Sequence, residues 1–243
     1  MISCRGALLV GIDVGLSFIK ATSGVCRTTD DGSGFLVDHA YADRASRLAA
    51  LRVLECDRLF DLVAIDGPLL PRLCVSAGRR TCERVFVRGL FQRRCKPGES
   101  HVRGTGQALA RAAGETAHHV AELTAGPRPD ASCPWVVAER AIVEAFPNAF
   151  LGVLLPDEAF ETLPPGRGKK FDALFEAVRR RGVLLRLMNE LRWPDDDLRD
   201  ALVTNAQHDE RAALICALTA ICAWRGRFTA VGDEEGGWFF LPP

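Results

Sequence analysis

Residues 62–68 read Leu62-Val63-Ala64-Ile65-Asp66-Gly67-Pro68, a short apolar run that closes with an acid and a Gly-Pro pair. A run of this length, bounded by turn residues, is typical of a central strand that is covered on both faces. The same pattern occurs near the start of the chain, where an apolar run at 7–10 leads into Gly11-Ile12-Asp13-Val14-Gly15. The two stretches predict two buried strands, each with an acid near its end.

The rest of the chain predicts strands that alternate with helices. In chain order we expect strands at 7–15, 18–22 and 35–41, a helix at 43–57, a strand at 62–66, a helix at 104–123, a strand at 140–146, a helix at 208–225 and a hairpin at 228–241. Alternation of this kind favours an α/β sheet, and three strands before the first helix favour a mixed sheet over a fully parallel one. We therefore predict an α/β domain over residues 1–243, with a mixed five-stranded sheet flanked by helices and a C-terminal hairpin. A basic insertion at 68–103 and a helical insertion at 150–206 would interrupt it.

Acidic residues recur where the predicted strands end. Asp13 and Asp66 each follow an apolar run, Glu144 lies in Ile142-Val143-Glu144-Ala145-Phe146-Pro147, and Asp209 opens the last predicted helix. Parallel strands lie about 4.8 Å apart, so acids on adjacent strands would face each other at close range. Such a pair shares either a proton or a cation. Two divalent ions about 4 Å apart would make a phosphodiester-cleaving site.

Each of these acids also has an ordinary structural explanation. Asp13 and Asp66 could organise the turns that follow their strands, and Glu144 could pair with an arginine. Asp209 could cap its helix, because an acid at a helix N-terminus is favoured by the helix dipole. The functional interpretation rests on the four acids taken together.

A basic segment follows the Asp66 strand. Between Arg79 and Arg103 the chain has eight basic residues and two acidic ones, although Lys plus Arg and Asp plus Glu both number 31 over the whole chain. Arginine forks suit phosphate oxygens, so the segment predicts a phosphate-bearing substrate near the acids; a solvated surface with internal ion pairs is the alternative. The candidate substrate-binding residues are Arg79, Arg80, Arg84, Arg93, Arg94, Lys96, Lys169 and Lys170.

The composition limits the remaining classes of protein to which the chain could belong. At 48% hydrophobic and 26% charged residues the chain can bury a sizeable core. Nine cysteines without a Cys-x-x-Cys pair suggest buried thiols in a reducing compartment, with a zinc site from Cys74, Cys82 and Cys95 as a weaker alternative. We see neither a signal peptide nor an apolar stretch of about 18 residues, so we expect a cytoplasmic protein without membrane contact.

A family resemblance is carried by several short motifs in a fixed order. They are Gly11-Ile12-Asp13, Val63-Ala64-Ile65-Asp66-Gly67-Pro68, Cys82-Glu83-Arg84, Val143-Glu144-Ala145-Phe146-Pro147 and Asp209-Glu210-Arg211-Ala212-Ala213-Leu214. In this order they resemble the domain-of-unknown-function family 429, which is regarded as ribonuclease-H-like and is often labelled a predicted nuclease.

The resemblance implies a ribonuclease-H-like fold and a nuclease-like site in which Asp13, Asp66, Glu144 and Asp209 bind Mg²⁺ or Mn²⁺ and carry the catalysis. The layout is similar to that of RuvC-type resolvases. Their final helix usually has a second acid three or four residues after the first, whereas this chain has Ala212 and Ala213 there. That departure puts a second metal, and cleavage itself, in doubt. The Cys82-Glu83-Arg84 segment suggests a family-specific site with no chemical assignment.

Two other functions compete with a metal-dependent nuclease acting on nucleic acid. Gly11-Ile12-Asp13-Val14-Gly15, with Ser17 and Lys20, also resembles the first phosphate loop of the actin, sugar-kinase and Hsp70 superfamily, which would make the chain a small phosphotransferase. A non-catalytic module that binds nucleic acid or nucleotide is the third interpretation.

Overall fold

A mixed sheet of seven strands forms the centre of the structure. The computed structural model describes residues 6–70, 78–95, 99–128, 139–161, 163 and 170–243. The strands are β1 (Leu8–Asp13), β2 (Ser23–Thr29), β3 (Leu36–Ala40), β4 (Leu62–Asp66), β5 (Ile142–Ala145), β6 (Thr229–Asp233) and β7 (Gly237–Leu241).

The strand order across the sheet is β3-β2-β1-β4-β5-β7-β6. Strands β1, β2 and β3 form an antiparallel meander. Strand β4 then pairs in parallel with β1. The pairs β4–β5 and β5–β7 are also parallel, and β6 closes the far edge antiparallel to β7. The carboxyl ends of β1, β4 and β5 therefore meet at one edge of the sheet.

Helices flank the sheet, and several of them lie in the described parts of the two insertions. They are α1 (Arg44–Ala50), α2 (Thr81–Phe86), α3 (Gly89–Cys95), α4 (Thr105–Ala121), α5 (Pro147–Leu154), α6 (Asp157–Glu161), α7 (Lys170–Arg180), α8 (Val183–Glu190), α9 (Asp196–Thr204) and α10 (His208–Trp224). No helix in the described ranges is both long enough and apolar enough to cross a bilayer.

The alternation of side chains along the central strands divides the core into two layers. Leu9 and Ala64 face α10, whose own buried side chains belong to the same cluster. Val10, Ile12 and Ile65 face α4 on the other side of the sheet. Both faces of β1 and β4 are therefore covered, as the uninterrupted apolar runs predict.

Two glycines let α10 lie directly on the sheet. A Cβ at Gly11 would stand 2.2 Å from the backbone nitrogen of Ala217, and one at Gly24 would stand 2.0 Å from the carbonyl oxygen of Asp209. Real Cβ atoms do not approach other atoms so closely, so these positions on β1 and β2 exclude any side chain. The contact fixes the N-terminal turn of α10 over the meander and so sets the position of Asp209.

The predicted mixed α/β sheet is confirmed, with seven strands where five were expected, because the terminal hairpin pairs along β5 and extends the sheet. The expected strand at 18–22 is wrong: this stretch is a loop, and β2 begins at Ser23. The loop is held by polar contacts, since the Ser17 hydroxyl accepts hydrogen bonds from the backbone N–H groups of Ile19 and Lys20.

The close contact between β1 and α10 predicts that one added methyl group lowers the free energy of unfolding. Gly11→Ala should lower the free energy of unfolding by about 3 kcal/mol, or prevent folding, because the backbone of α10 cannot yield. Gly126→Ala is the matched control, since its Cβ would meet only the Glu139 carbonyl at 3.8 Å; it should stay within about 0.5 kcal/mol. Urea denaturation of the three proteins measures the difference, and equal stabilities would contradict the described contact.

Candidate functional site

Asp13 and Asp66 stand side by side at the carboxyl ends of β1 and β4. The two residues are register partners on parallel strands, so their side chains leave the same face of the sheet at the same level. That face is the one covered by α10. The sequence predicted this pairing, and the structure brings the two acids together.

The pair is too close for both groups to be ionised without a compensating charge. Burial raises the pKa of Asp13 well above its ordinary value, and repulsion by Asp66 and by Asp209 adds to the rise. Burial also raises the pKa of Asp66, with a further contribution from the charge of Glu144. A hydrogen bond joins the two carboxyl groups, raising the pKa of Asp13 and lowering that of Asp66. Two carboxyl groups in this arrangement share a proton unless a cation lies between them.

Asp209 is a third acid near this pair. It lies in the first turn of α10, where an acid interacts favourably with the helix dipole. Burial raises its pKa, while the nearby His208 and His39 lower it. Because the charge of Asp209 also raises the pKa of Asp13, the two carboxylates lie within electrostatic range of each other.

The alanines that replace the expected second acid of α10 are core residues. Ala212 and Ala213 are buried, and the Cβ of Ala213 packs against the backbone at Gly24. A carboxylate at 213 would enter the contact between α10 and the sheet. The absence of an acid at 213 therefore follows from the close approach of the helix to β1 and β2.

Glu144 belongs to a different site. Its register partner on β4 is Ile65, which packs towards α4, so the Glu144 side chain leaves the face opposite to Asp13 and Asp66. The carboxylate accepts two hydrogen bonds from the Arg80 guanidinium, at 2.7 and 2.8 Å, and one from the Leu69 backbone N–H at 2.9 Å. Of the alternatives open at the sequence level, the structure shows the arginine pairing.

Arg80 is the hub of a buried polar cluster. Besides Glu144 it contacts Glu83, whose carboxylate lies 3.0 Å from the Arg80 Nε, and it donates to the Gly236 carbonyl in the hairpin turn. The side chains of Arg80, Glu83 and Glu144 are 1–2% exposed. Glu83 also accepts hydrogen bonds from the backbone N–H groups of Arg80 and Ser100. Glu83, in the unassigned Cys82-Glu83-Arg84 segment, thus ties α2 to the loop before α4.

A cavity of about 70 Å³ is lined both by residues of this cluster and by Asp66. Asp66, Arg80 and Glu144 contribute to its lining together with Pro68, Phe146 and Phe239. The Ser100 hydroxyl, which also lines it, is buried and has no hydrogen-bond partner among the described residues. Charged groups and apolar side chains therefore line the same cavity.

The basic candidates do not form one surface. Arg80 is buried at the hub just described, and Arg94 is buried against the Leu155 carbonyl, Asp157 and the Phe160 ring. Arg79 is exposed and pairs with Glu99, Arg84 is exposed on α2, and Lys170 begins α7. Lys96, Lys169 and the side chain of Arg93 lie outside the described residues, as does Cys74 of the alternative zinc site. Arg84, Arg88 and Arg103 are further exposed cations of the segment.

Cys216 is a neighbour of the acid pair that the sequence did not single out. It is buried on α10, and the backbone N–H of Asp66 donates a hydrogen bond to its sulfur. Burial raises the pKa of its thiol, and the charges of Asp66 and Asp13 raise it further. The thiol thus stays protonated beneath the two carboxyl groups. Its apolar surroundings in the sequence gave no signal of this position.

No group of three or more His, Cys, Asp or Glu side chains in the described part of the chain stands in a ready-made metal-binding arrangement. Two carboxylates are in place, and Asp209 is close without completing the set. His208, which precedes Asp209 on α10, has its Nδ1 3.0 Å from an Asp172 carboxylate oxygen.

Comparison of the chain with protein-family models, with curated proteins and with solved structures gave no match.

The raised pKa values of the acid pair predict how stability depends on pH. Because Asp13 and Asp66 bind protons more tightly in the folded than in the unfolded state, their stabilising contribution is complete below about pH 4 and is lost as pH rises through their folded-state pKa values. Asp66→Asn removes the repulsion, so in EDTA it should unfold at a higher urea concentration than the wild type at pH 8, with a smaller difference at pH 5. A variant that is less stable than the wild type at pH 8 would contradict the shared-proton description.

The buried cluster predicts a large effect at Arg80 and a small one at its exposed neighbour. Arg80→Met leaves Glu83 and Glu144 buried without a counter-charge and should lower the free energy of unfolding by about 4 kcal/mol. Arg84→Met changes an exposed arginine on α2 and should stay within about 0.5 kcal/mol. Denaturation at pH 7 compares the two, and similar losses for both would show that Arg80 does not organise the cluster.

Proposed function

We propose that this chain is a divalent-metal-dependent phosphodiesterase of the nuclease type, with its centre at Asp13 and Asp66. The observation that carries the proposal is the register pairing of these two acids at the carboxyl ends of adjacent parallel strands. Structural acids are usually neutralised by an arginine, as Glu144 is. Asp13 and Asp66 instead face each other with raised pKa values, and two such carboxyl groups share either a proton or a cation.

The donor set suits a hard divalent ion. Carboxylate oxygens are the ligands that Mg²⁺ and Mn²⁺ prefer, and these ions complete their coordination with water and substrate phosphate oxygens. Asp13 and Asp66 would hold the ion, and Asp209 is the third acid within electrostatic range. Glu144, expected from the resemblance as a fourth ligand, is assigned here to the structural pair with Arg80.

The residues around the pair suggest how the reaction would be supported. A bound divalent ion lowers the pKa of water and polarises the phosphoryl oxygens. Asp13 must give up its proton to bind the ion, so loading should be favoured as pH rises. Arg84, Arg88 and Arg103 are exposed on the segments that follow β4 and can attract the phosphate backbone.

The fold supports the same proposal. The mixed sheet flanked by helices, with an acid at the end of the first strand and another at the start of the last long helix, is what the ribonuclease-H-like resemblance implies. Membership of the domain-of-unknown-function family 429 and the cytoplasmic location stay predictions that rest on the sequence.

A phosphotransferase of the actin and sugar-kinase superfamily is less well supported. A phosphate loop needs backbone N–H groups that point at the ligand. In the loop after Asp13, the N–H groups of Ile19 and Lys20 donate to the Ser17 hydroxyl, and that of Gly15 donates to Ser23 at 2.9 Å. These donors are therefore already used within the protein.

A non-catalytic binding module remains the second candidate, favoured by one observation. Ala212 and Ala213 are buried, and Ala213 packs against the sheet, so the helix presents no second acid at these positions. Binding that persists when Asp13 is replaced would support this candidate, because it assigns the acids no role in chemistry.

Cleavage of labelled DNA and RNA oligonucleotides at pH 8 with Mn²⁺ tests the proposal. The wild type should cleave at least one of them, with loss of activity in EDTA, and Asp13→Asn and Asp66→Asn should each reduce the rate by a factor of about 100 or more. Asp200→Asn, which changes an exposed acid on α9, is the matched control and should behave as the wild type. Absence of Mn²⁺-dependent cleavage, or equal rates for Asp13→Asn and wild type, would overturn the nuclease assignment.

A further inference from the structure

The loop that follows Asp13 presents apolar side chains to solvent. Between β1 and β2, Leu16 is 45% exposed, Phe18 67% and Ile19 86%. On the neighbouring loop between β3 and α1, Tyr41 is 42% exposed. The two loops are joined, because the backbone N–H of Ala42 donates a hydrogen bond of 2.9 Å to the carbonyl of Ser17. Together these four residues form what we call the apolar rim.

The apolar rim is built by specific contacts. The Ser17 hydroxyl accepts two backbone N–H groups of the loop, at 3.3 and 2.9 Å, and Gly15 is fixed by Ser23. These bonds hold the loop in a conformation that keeps Phe18 and Ile19 out of the core. Exposed apolar side chains that are grouped together usually mark a binding surface.

We propose that the apolar rim stacks the unpaired bases of a single-stranded nucleic acid whose phosphodiester lies at Asp13 and Asp66. This inference rests on the proposed function and names its substrate class. The loop begins one residue after Asp13, and its first rim residue, Leu16, is three residues from Asp13, so the two lie at most about 11 Å apart along the backbone. Lys20, on the same loop, is exposed and supplies a positive charge for the backbone.

Unpaired strands fit this surface better than duplexes. Every base has a π-face that can stack on an aromatic ring, and such stacking tolerates any sequence. In a duplex those faces are already covered by neighbouring base pairs, so Phe18 could reach only the backbone. An aromatic side chain and a lysine on one loop are the combination that single-strand binding proteins use.

The test measures binding and cleavage separately. Fluorescence anisotropy with a labelled single-stranded oligonucleotide and with its duplex, in Ca²⁺, gives the two affinities, and Mn²⁺-dependent cleavage gives the activity. Phe18→Ser should weaken single-strand binding about tenfold, leave duplex binding unchanged, and keep the fold, since the residue is exposed. Phe18→Trp should retain single-strand binding. Leu54→Ser, at an apolar residue that is fully exposed elsewhere, is the matched control.

The outcomes separate this inference from the nuclease proposal. If the wild type cleaves but Phe18→Ser binds the single strand as tightly as Leu54→Ser does, the inference is wrong and the nuclease assignment stands. If neither substrate is bound or cleaved by the wild type, the nuclease assignment fails and the inference with it. If Phe18→Ser instead converts a dimer into a monomer in sedimentation experiments, the apolar rim is a contact between two copies of the chain and the inference is overturned.

Discussion

The parallel pairing of β1 with β4 forces two carboxyl groups to the same level on the same face of the sheet. This constraint cannot be relieved locally, because both strands are buried and a shift of register would turn every side chain to the opposite face. Burial raises the pKa of both groups, and the charge of Asp66 adds to the rise at Asp13, so the pair favours a shared proton or a bound cation over two free charges. The proposed metal dependence, the pH dependence of stability and the position of the substrate all follow from this pair.

The buried acids form two groups, one paired with an arginine and one without such a partner among the described residues. Glu83 and Glu144 are matched to Arg80 by short hydrogen bonds from a buried guanidinium, which ties α2, β5 and the hairpin turn together. Such a cluster holds the edge of the sheet in place and leaves little capacity for a ligand. Asp13 and Asp66 have no arginine of this kind among the described residues that act on them. The contrast is the physical reason for assigning structure to one group and chemistry to the other.

Much of the fold could be predicted from the sequence, because its strongest signals are local. The apolar runs of β1 and β4 give central strands, and the terminal hairpin and the last long helix are found where hydrophobic periodicity places them. The predicted strand at 18–22 is wrong because Phe18 and Ile19 are typical strand residues. In the structure the Ser17 hydroxyl accepts backbone hydrogen bonds from Ile19 and Lys20, and the chain forms a loop outside the sheet.

The site could be predicted only in part. Asp13 and Asp66 follow from the ends of two strands, since adjacent parallel strands bring their ends together. Glu144 could not be separated from them by sequence, because its partner Arg80 lies 64 residues earlier. The burial of Arg80 and Arg94 could not be predicted either, because a charged run normally indicates exposed side chains. Their acidic partners lie far away in the sequence or could not be identified from it.

The central claim is that Asp13 and Asp66 exchange their shared proton for a divalent cation. A crystal of the wild-type protein soaked in Mn²⁺ at neutral pH, with data collected at the manganese edge, tests it most directly. The account predicts an anomalous peak at coordination distance, roughly 2.2 Å, from carboxylate oxygens of both Asp13 and Asp66. Full Mn²⁺ occupancy elsewhere, or no peak between the two acids, would contradict it.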